Sequence, residues 1–472
     1  MTAQLTPDEI LEATGAAPPR RPPPARVCRG VGTDSRTLPE GALFVALHGP
    51  RFDGHDFLGQ AAAAGAFGAV VARGHGHPDL ACFEVEDTLR ALGDLARYHR
   101  DRCGPGRVVA VTGSSGKTTT KELLAAALRK ALGAGVHTEG NLNNLVGVPL
   151  TLFRLDGTEA WAVLELGMNA PGEIARLTEI VRPRVGLIVN TGPVHLEGLG
   201  TVEAVADAKA ELWAGLEAGA VAVVNLDDPR LVARAKRRSD LRWLGFGRHA
   251  DAAVRLEGVV NRGEAGLRVE IALAHEAGKG RLVFDLPLIG VHNAHNAAAA
   301  LAAAIAVGAD PAEAAQGMSE VRSVGRRMRR VAGPGGALLL DDCYNANPAS
   351  TAAALEAAAQ LAEDRGGTVW AALGDMLELG GASEKHHRAI GARAAHLGLA
   401  GLVGFGPGSA ALVEEAERAG LHRVLHTLEP DEAAAFLREG LGPRDVVLVK
   451  GSRGMRMERI VERLAEAEGG AA

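Results

Sequence analysis

Runs rich in Val and Leu recur along this chain, each followed by a glycine or asparagine turn and then by apolar positions repeating at helical spacing. The clearest run, "VVAVTGSSGKTTTKELLAAALRKAL" from Val108, reads as a buried strand, a glycine turn and an amphipathic helix. "AWAVLEL", "VGLIVN" and "AVAVVN" repeat the theme with helical stretches between, which predicts a mostly parallel sheet covered on both faces. From Arg330 the pattern restarts with "ALLLDD", "TVWAALGD", "GLVGFG", "RVLHTL" and "DVVLVKGS", a second doubly wound unit. Ahead of both, residues 27–102 set "ALFVAL" and "GAVVA" among glycine turns, enough for a small α/β domain. The proline-rich "PPRRPPPAR" precedes it, and "DRCGPGR" (101–107) reads as a linker. The expected fold is α/β with three domains in series, over residues 1–103, 104–324 and 325–472, the last Rossmann-like.

Composition supports this division. At 472 residues the chain exceeds the roughly 250–300 at which a single core stops growing. Hydrophobic residues make up 47%, mostly Ala, Val and Leu, so burial is ordinary although aromatics are scarce. A formal charge of -6 argues against nucleic acid or an anionic membrane as partner, since both require a basic surface. The apolar run Ala297 to Val307 falls far short of the roughly 20 residues needed for a membrane span. The N-terminal "MTAQLTPDEILEATGA" has no basic start and apolar centre, so it does not read as a secretory leader. Cys28, Cys82, Cys103 and Cys343 are widely spaced without a CxxC, which suggests neither zinc nor disulfides. A cytoplasmic setting and a monomer are the expectations.

The strongest chemical signal is "TGSSGKTTT" (112–120). Backbone N–H groups of Gly113, Ser114, Ser115, Gly116 and Thr119 can turn onto phosphate oxygens; Lys117 brings a cation and the Thr118 hydroxyl can hold Mg2+. The central domain is therefore expected to be a P-loop ATPase, although Val111 stands where the full pattern has glycine. In "LELGMNAPGEI", Glu165 closes a buried strand on the edge where such sheets bind ligands, and a carboxylate there suits Mg2+. "NTGPVHLEGLG" adds His195 to that edge. Lys209 of "VADAKAELWAGL" reads, on its own, as an exposed helical residue.

The motifs "DSRTLPEGALFVALHGPRFDGHDF", "TGSSGKTTTKE", "EGNLNNLVGVPLTL", "ELGMNAPGEI", "HLEGLGTVEAVADAKAELW", "HNAHNAAAALAAA", "DDCYNANPAS", "LGDMLELG" and "VLVKGSRGMRME" together resemble the Mur ligases, most closely the type that adds D-Ala-D-Ala. The resemblance spans nearly the whole chain. It implies an N-terminal domain for UDP-MurNAc-tripeptide, a central ATPase, and a C-terminal domain for D-Ala-D-Ala. It implies ATP and Mg2+, with Lys209 carbamylated by CO2 and holding the metal beside Thr118, Glu165 and His195. It further assigns Asn296 to adenine, Asp342 to ribose and Arg326 of "VGRRMRR" to the ATP phosphates, with the doubled arginine leaving Arg326 and Arg327 as alternatives. Ser35 and Arg36 fall to the uridine diphosphate, and Asn141 and Asn144 to the peptide end. Tyr344, Asn345 and Asn347 of "YNANP" are placed where nucleotide and incoming amine meet. The implied reaction makes an acyl phosphate from the peptide carboxylate and displaces phosphate with the dipeptide amine.

Three rivals are weighed against this. "VGFGPGS" (403–409), with Glu429 after the next strand, approximates a dinucleotide fingerprint and would mark a nicotinamide oxidoreductase, although Ser409 replaces its third glycine. A folylpolyglutamate synthase or a ligase adding a single amino acid shares the phosphate loop, and a regulatory ATP-binding protein is the third reading. "GPG" at 333–335 is expected near an interdomain hinge.

Overall fold

The computed structural model describes residues 3–49 and 52–466. Pro50 and Arg51, inside the first of the quoted motifs, lie outside the described residues, as do Met1 and Thr2. A two-stranded antiparallel pair, Gln4–Leu5 with Cys28–Arg29, stands near the N-terminus, and three larger sheets follow one another along the chain. The first is four parallel strands in sequence order, Val31–Gly32, Leu43–Val45, Gly68–Ala72 and Cys82–Val85. Helix Thr88–Cys103 leaves it, started by Asp87, whose carboxylate accepts from the N–H groups of Leu89 and Arg90. The expected linker at 101–107 is thus half helix. The chain runs free only from Gly104, and buried His99 fastens the helix to the Leu155 carbonyl at 2.9 Å.

The central sheet has nine strands, in spatial order Gly280–Leu286, Leu267–Leu273, Val254–Asn261, Arg242–Gly247, Val221–Asn225, Val185–Ile188, Val108–Thr112, Trp161–Glu165 and Gly135–His137. Pairing is parallel from Val254–Asn261 through Gly135–His137, so the strand ends at Thr112, Glu165, Ile188 and Asn225 share one edge. The three strands between 254 and 286 form an antiparallel meander that the reading of alternating strand and helix left out. Its signal was present: in "LRVEIAL", Leu267, Val269, Ile271 and Leu273 point inward, the period-2 pattern of a sheet with one wet face. One face of the sheet is covered by helices Lys117–Leu132 and His292–Ala306. The second owes its alanines to this packing, because residues 297–304 are fully buried and a small side chain lets the helix sit close. Among the described residues no helix is long and apolar enough to cross a membrane.

The third sheet has strand order Arg329–Ala332, Leu338–Asp342, Val446–Lys450, Val369–Gly374, Gly401–Phe405 and Val424–Thr427. All five strands read from the sequence are present and parallel, with Arg329–Ala332 added antiparallel at the edge. The turn of that hairpin holds Gly333 to Gly335, inside one sheet, so the expected hinge there is corrected. The chain passes between the two larger sheets earlier, after helix Pro311–Ser319 and before Arg329.

This domain leaves no room beside Trp370. A Cβ built on Gly440 would fall 2.0 Å from the indole Cη2. Gly440→Ala is expected to destabilise the C-terminal domain by about 1–3 kcal/mol through overpacking. Denaturant unfolding followed by the fluorescence of Trp370 checks it; an unchanged midpoint would show that the indole has room to move.

Candidate active site

Strand Val108–Thr112 delivers the chain into a turn that ends at helix Lys117–Leu132. Val111 is fully buried in this strand, paired with Leu187 and Glu165, so the loop begins one residue later than the full phosphate-loop pattern and needs no glycine at 111. Gly116 is required on two counts. Its φ of 77° is left-handed, and a Cβ would lie 2.4 Å from Asn296 Oδ1. The loop is held from Asn190, whose carbonyl accepts from Ser114 N–H at 3.0 Å and whose Oδ1 accepts from Ser115 N–H at 2.9 Å. Lys117 Nζ donates to the Gly113 carbonyl at 2.7 Å. Removal from water lowers the Lys117 pKa, with Glu165 opposing the shift and Arg327 adding to it.

These groups border a cavity of ≈ 940 Å³ between the central and C-terminal sheets. From the central domain Ser114, Ser115, Gly116, Lys117 and Thr119 line it. So do Asn141 and Asn144, and so do Glu165, His195 and Asn296. From the C-terminal domain come Asp342, Tyr344, Asn345 and Asn347. Thr118 sits just behind the wall, its Oγ1 accepting from Arg327 at 2.8 Å. Gly113, Lys209 and Arg326 do not line the cavity, and Ser35 and Arg36 lie apart from it in the N-terminal domain. There Ser35 donates to Gln60 and exposed Arg36 pairs with Asp34.

Glu165 is 1% exposed. Asn143 Nδ2 donates to its Oε1 at 2.8 Å, while Oε2 is buried with no hydrogen-bond partner. A buried carboxylate oxygen left so is costly unless a cation satisfies it. Lys209, expected from its own stretch to be an exposed helical residue, is instead 1% exposed, which corrects that reading. Burial, and repulsion from Lys117, lower its pKa well below the ordinary lysine value. The helix Val202–Ala214 turns it inward between buried Ala206 and Leu212.

The doubled arginine divides cleanly. Arg326 turns away, its guanidinium 3.4 Å from the carboxylate of fully buried Asp341 and 3.2 Å from Glu462. Arg327 enters the cavity, touches Thr118 and lies 4.1 Å from the ring centroid of Tyr344. Of the two alternatives that the resemblance leaves, Arg327 is the one that borders the cavity. Tyr344 thereby gains a physical task as the aromatic seat of that cation. Its own hydroxyl pKa is raised, chiefly by burial.

Several bordering residues were not anticipated. Lys450 ends the last parallel strand and donates to Asp342 Oδ2 at 2.6 Å and to the Asn345 carbonyl at 2.9 Å. Asn143 and Asn190 brace Glu165 and the phosphate loop. Asn190 closes the predicted strand "VGLIVN", the signal that could have found it, and Asn143 lies in the polar turn "EGNLNN". Glu378 reaches from the C-terminal domain to within 2.6 Å of His195 Nδ1, and this contact holds its carboxyl below the usual range.

The glycine turn at 403–409 is closed to a dinucleotide. Asp375 accepts from the N–H groups of Gly408 at 3.0 Å and Ser409 at 2.8 Å, which are the donors a pyrophosphate would need. The protein's own carboxylate fills that place, and a second anion would meet its charge.

Sequence profiles of the Mur ligase family match three stretches of the chain: the family's catalytic domain matches residues 27–100, the Mur ligase middle domain residues 111–304, and the glutamate ligase domain residues 326–453. The UDP-N-acetylmuramoyl-tripeptide--D-alanyl-D-alanine ligase of Escherichia coli (strain K12) is 38% identical over 92% of this chain and 93% of its own. The crystal structure of MurF from Acinetobacter baumannii superposes with a TM-score of 0.90 at 32% identity, over 98% of this chain and 99% of that one. MurF ligase from Thermotoga maritima in complex with ADP superposes at 0.81 and 31% identity, over 94% and 99%.

Proposed function

Because this chain belongs to the Mur ligase family, we propose that it joins D-Ala-D-Ala to UDP-MurNAc-tripeptide using ATP, giving UDP-MurNAc-pentapeptide for peptidoglycan synthesis. The observation that carries this reading is one cavity in which the phosphate loop of the central domain faces Tyr344, Asn345 and Asn347 of the C-terminal domain, with Arg327 spanning the two. Residues 1–103 receive the UDP-sugar through Ser35 and Arg36, residues 104–324 hold ATP, and residues 325–472 present the dipeptide. The enzyme acts as a monomer in the cytoplasm.

A carboxylate is a poor electrophile, so the first step gives it a leaving group. The peptide carboxylate oxygen attacks the γ-phosphorus and the bond to ADP breaks. The dipeptide amine then attacks the acyl carbon, loses a proton, and phosphate departs. Both steps spread negative charge over phosphate oxygens, and the protein answers with fixed donors and cations rather than a nucleophile. N–H groups of the loop at 113–119, the start of helix Lys117–Leu132, the Lys117 ammonium and the Arg327 guanidinium supply them. Asn296, which abuts the loop at Gly116, takes the adenine, and Asp342 of the cavity wall takes the ribose. Asn141 and Asn144 hold the peptide end. Tyr344, Asn345 and Asn347 border the amine's approach, and bringing the reactants together from separate domains supplies the proximity the second step needs.

The side chains present suit a hard divalent cation: the unsatisfied Glu165 Oε2, the Thr118 hydroxyl and His195 of the cavity wall. Mg2+ would be held by these and by carbamylated Lys209, and when bound it adds positive charge against the phosphate oxygens. Lys209 is suited to carbamylation because burial beside Lys117 favours its neutral amine. The neutral amine nitrogen bonds to CO2, one proton leaves that nitrogen, and a neutral amine becomes a carbamate anion.

Purified protein incubated with ATP, Mg2+, UDP-MurNAc-tripeptide and D-Ala-D-Ala is expected to yield the pentapeptide by mass. Acceptor carboxylate labelled with heavy oxygen should pass one labelled atom into the released phosphate. Phosphate free of label, or ligation of a single amino acid in place of the dipeptide, would overturn the proposal.

A further inference from the structure

His195 and Glu378 come from different domains, 183 residues apart, and meet at 2.6 Å between Nδ1 and Oε2. Both have left-handed backbones, with φ of 53° and 63°, and neither is glycine. Two such residues facing one another indicate local backbone cost retained by the surrounding structure, a pattern that concentrates at functional sites. The contact is wider than the pair. Glu197 N–H donates to the Glu378 carbonyl at 3.2 Å, and Gly380, also left-handed at 54°, approaches so closely that a Cβ would lie 3.3 Å from Glu197 Cα.

A carboxylate only accepts, so the hydrogen in this contact sits on Nδ1, and the Nε2 lone pair is left for another partner. His195 borders the cavity that holds the phosphate loop. We propose that Glu378 is a positioning residue: it reaches across from the C-terminal domain and fixes the tautomer and orientation of His195, so that the nucleotide site is completed only when the two domains meet. The inference rests on the ligase reading above. It adds a function for the "LGDMLELG" segment (373–380), which lies outside the phosphate loop and the "YNANP" turn. The principle is the carboxylate–histidine pairing that orients metal-binding imidazoles, here divided between domains.

Glu378→Ala, Glu378→Gln and Glu378→Gly separate the possibilities. Glycine relieves the left-handed backbone while removing the carboxylate; glutamine keeps an acceptor oxygen without charge. Turnover is expected to fall about 10–100-fold in Glu378→Ala and Glu378→Gly, with the KM for ATP within about twofold, and to be largely retained in Glu378→Gln. Nitrogen-15 spectra of the imidazoles in the resting protein at alkaline pH should show His195 protonated on Nδ1 in the wild type and in Glu378→Gln. In Glu378→Ala the signal should move toward the other tautomer. Full turnover in Glu378→Gly, or one His195 tautomer in all four proteins, would overturn the proposal. If wild-type protein forms no pentapeptide, the ligase reading fails instead, and the spectra still report whether Glu378 sets the ring.

Discussion

Lys209→Ala is expected to lower ligation turnover by roughly 10²–10³-fold, the loss typical of removing one fixed electrostatic group from a charged transition state. The wild type should lose activity when CO2 is stripped from the buffer and regain it with bicarbonate; the variant should respond to neither. The reason is burial without compensation. An ammonium at Lys209 would lie in a dry site with Lys117 as its charged neighbour, and both effects favour the neutral amine. A neutral, hidden amine is a nucleophile toward CO2, and the proposed carbamate would carry the charge that Lys117 and a divalent cation attract. Labelled CO2 should give the wild type a carbonyl resonance that Lys209→Ala lacks. Unimpaired turnover in the variant, with no bicarbonate dependence in either protein, would leave Lys209 a buried packing residue. A melting curve close to wild type separates lost chemistry from lost fold, since the substitution also removes buried methylenes between Ala206 and Leu212.

The two large sheets were legible because their strands are short β-branched runs ended by turns, and helices between them force parallel pairing. The antiparallel meander was missed although Leu267, Val269, Ile271 and Leu273 alternate, because a wet-faced strand carries half the apolar signal of a buried one. The phosphate loop was legible because glycine and lysine there answer to local backbone chemistry, which sequence spells directly. Burial of Lys209 was not: helix Val202–Ala214 is apolar around much of its circumference, so its alanines and leucines do not reveal which side a lone lysine faces. Nor could sequence place Glu378 beside His195, because a contact between separate domains leaves no period in either. The dinucleotide-like turn failed for a related reason, its donors being taken by Asp375 from a neighbouring strand end.

The adjacent arginines give the sharpest remaining test, since "GRRM" offers two candidates of equal charge. Arg327→Ala is expected to reduce turnover by about 10³-fold or more, the scale set by arginines that stabilise transferring phosphoryl groups. Arg326→Ala should leave turnover within about threefold. The difference is one of direction. Arg326 leans on Asp341, which retains Arg329 at 2.7 Å when Arg326 is removed, so no buried carboxylate is left unpaired. Arg327 bridges Thr118 of the loop helix and the face of Tyr344. Arg327→Lys should not rescue, because an ammonium cannot both donate in the planar fork and lie along the ring. Tyr344→Phe keeps the ring and should keep most activity, whereas Tyr344→Leu loses the seat and should cost about tenfold, near 1.4 kcal/mol. Steady-state kinetics with ATP and both substrates measures all five variants. Should Arg326→Ala be the crippled one and Arg327→Ala run normally, the γ-phosphate must lie on the Asp341 side, and the cavity described above is not where phosphoryl transfer takes place.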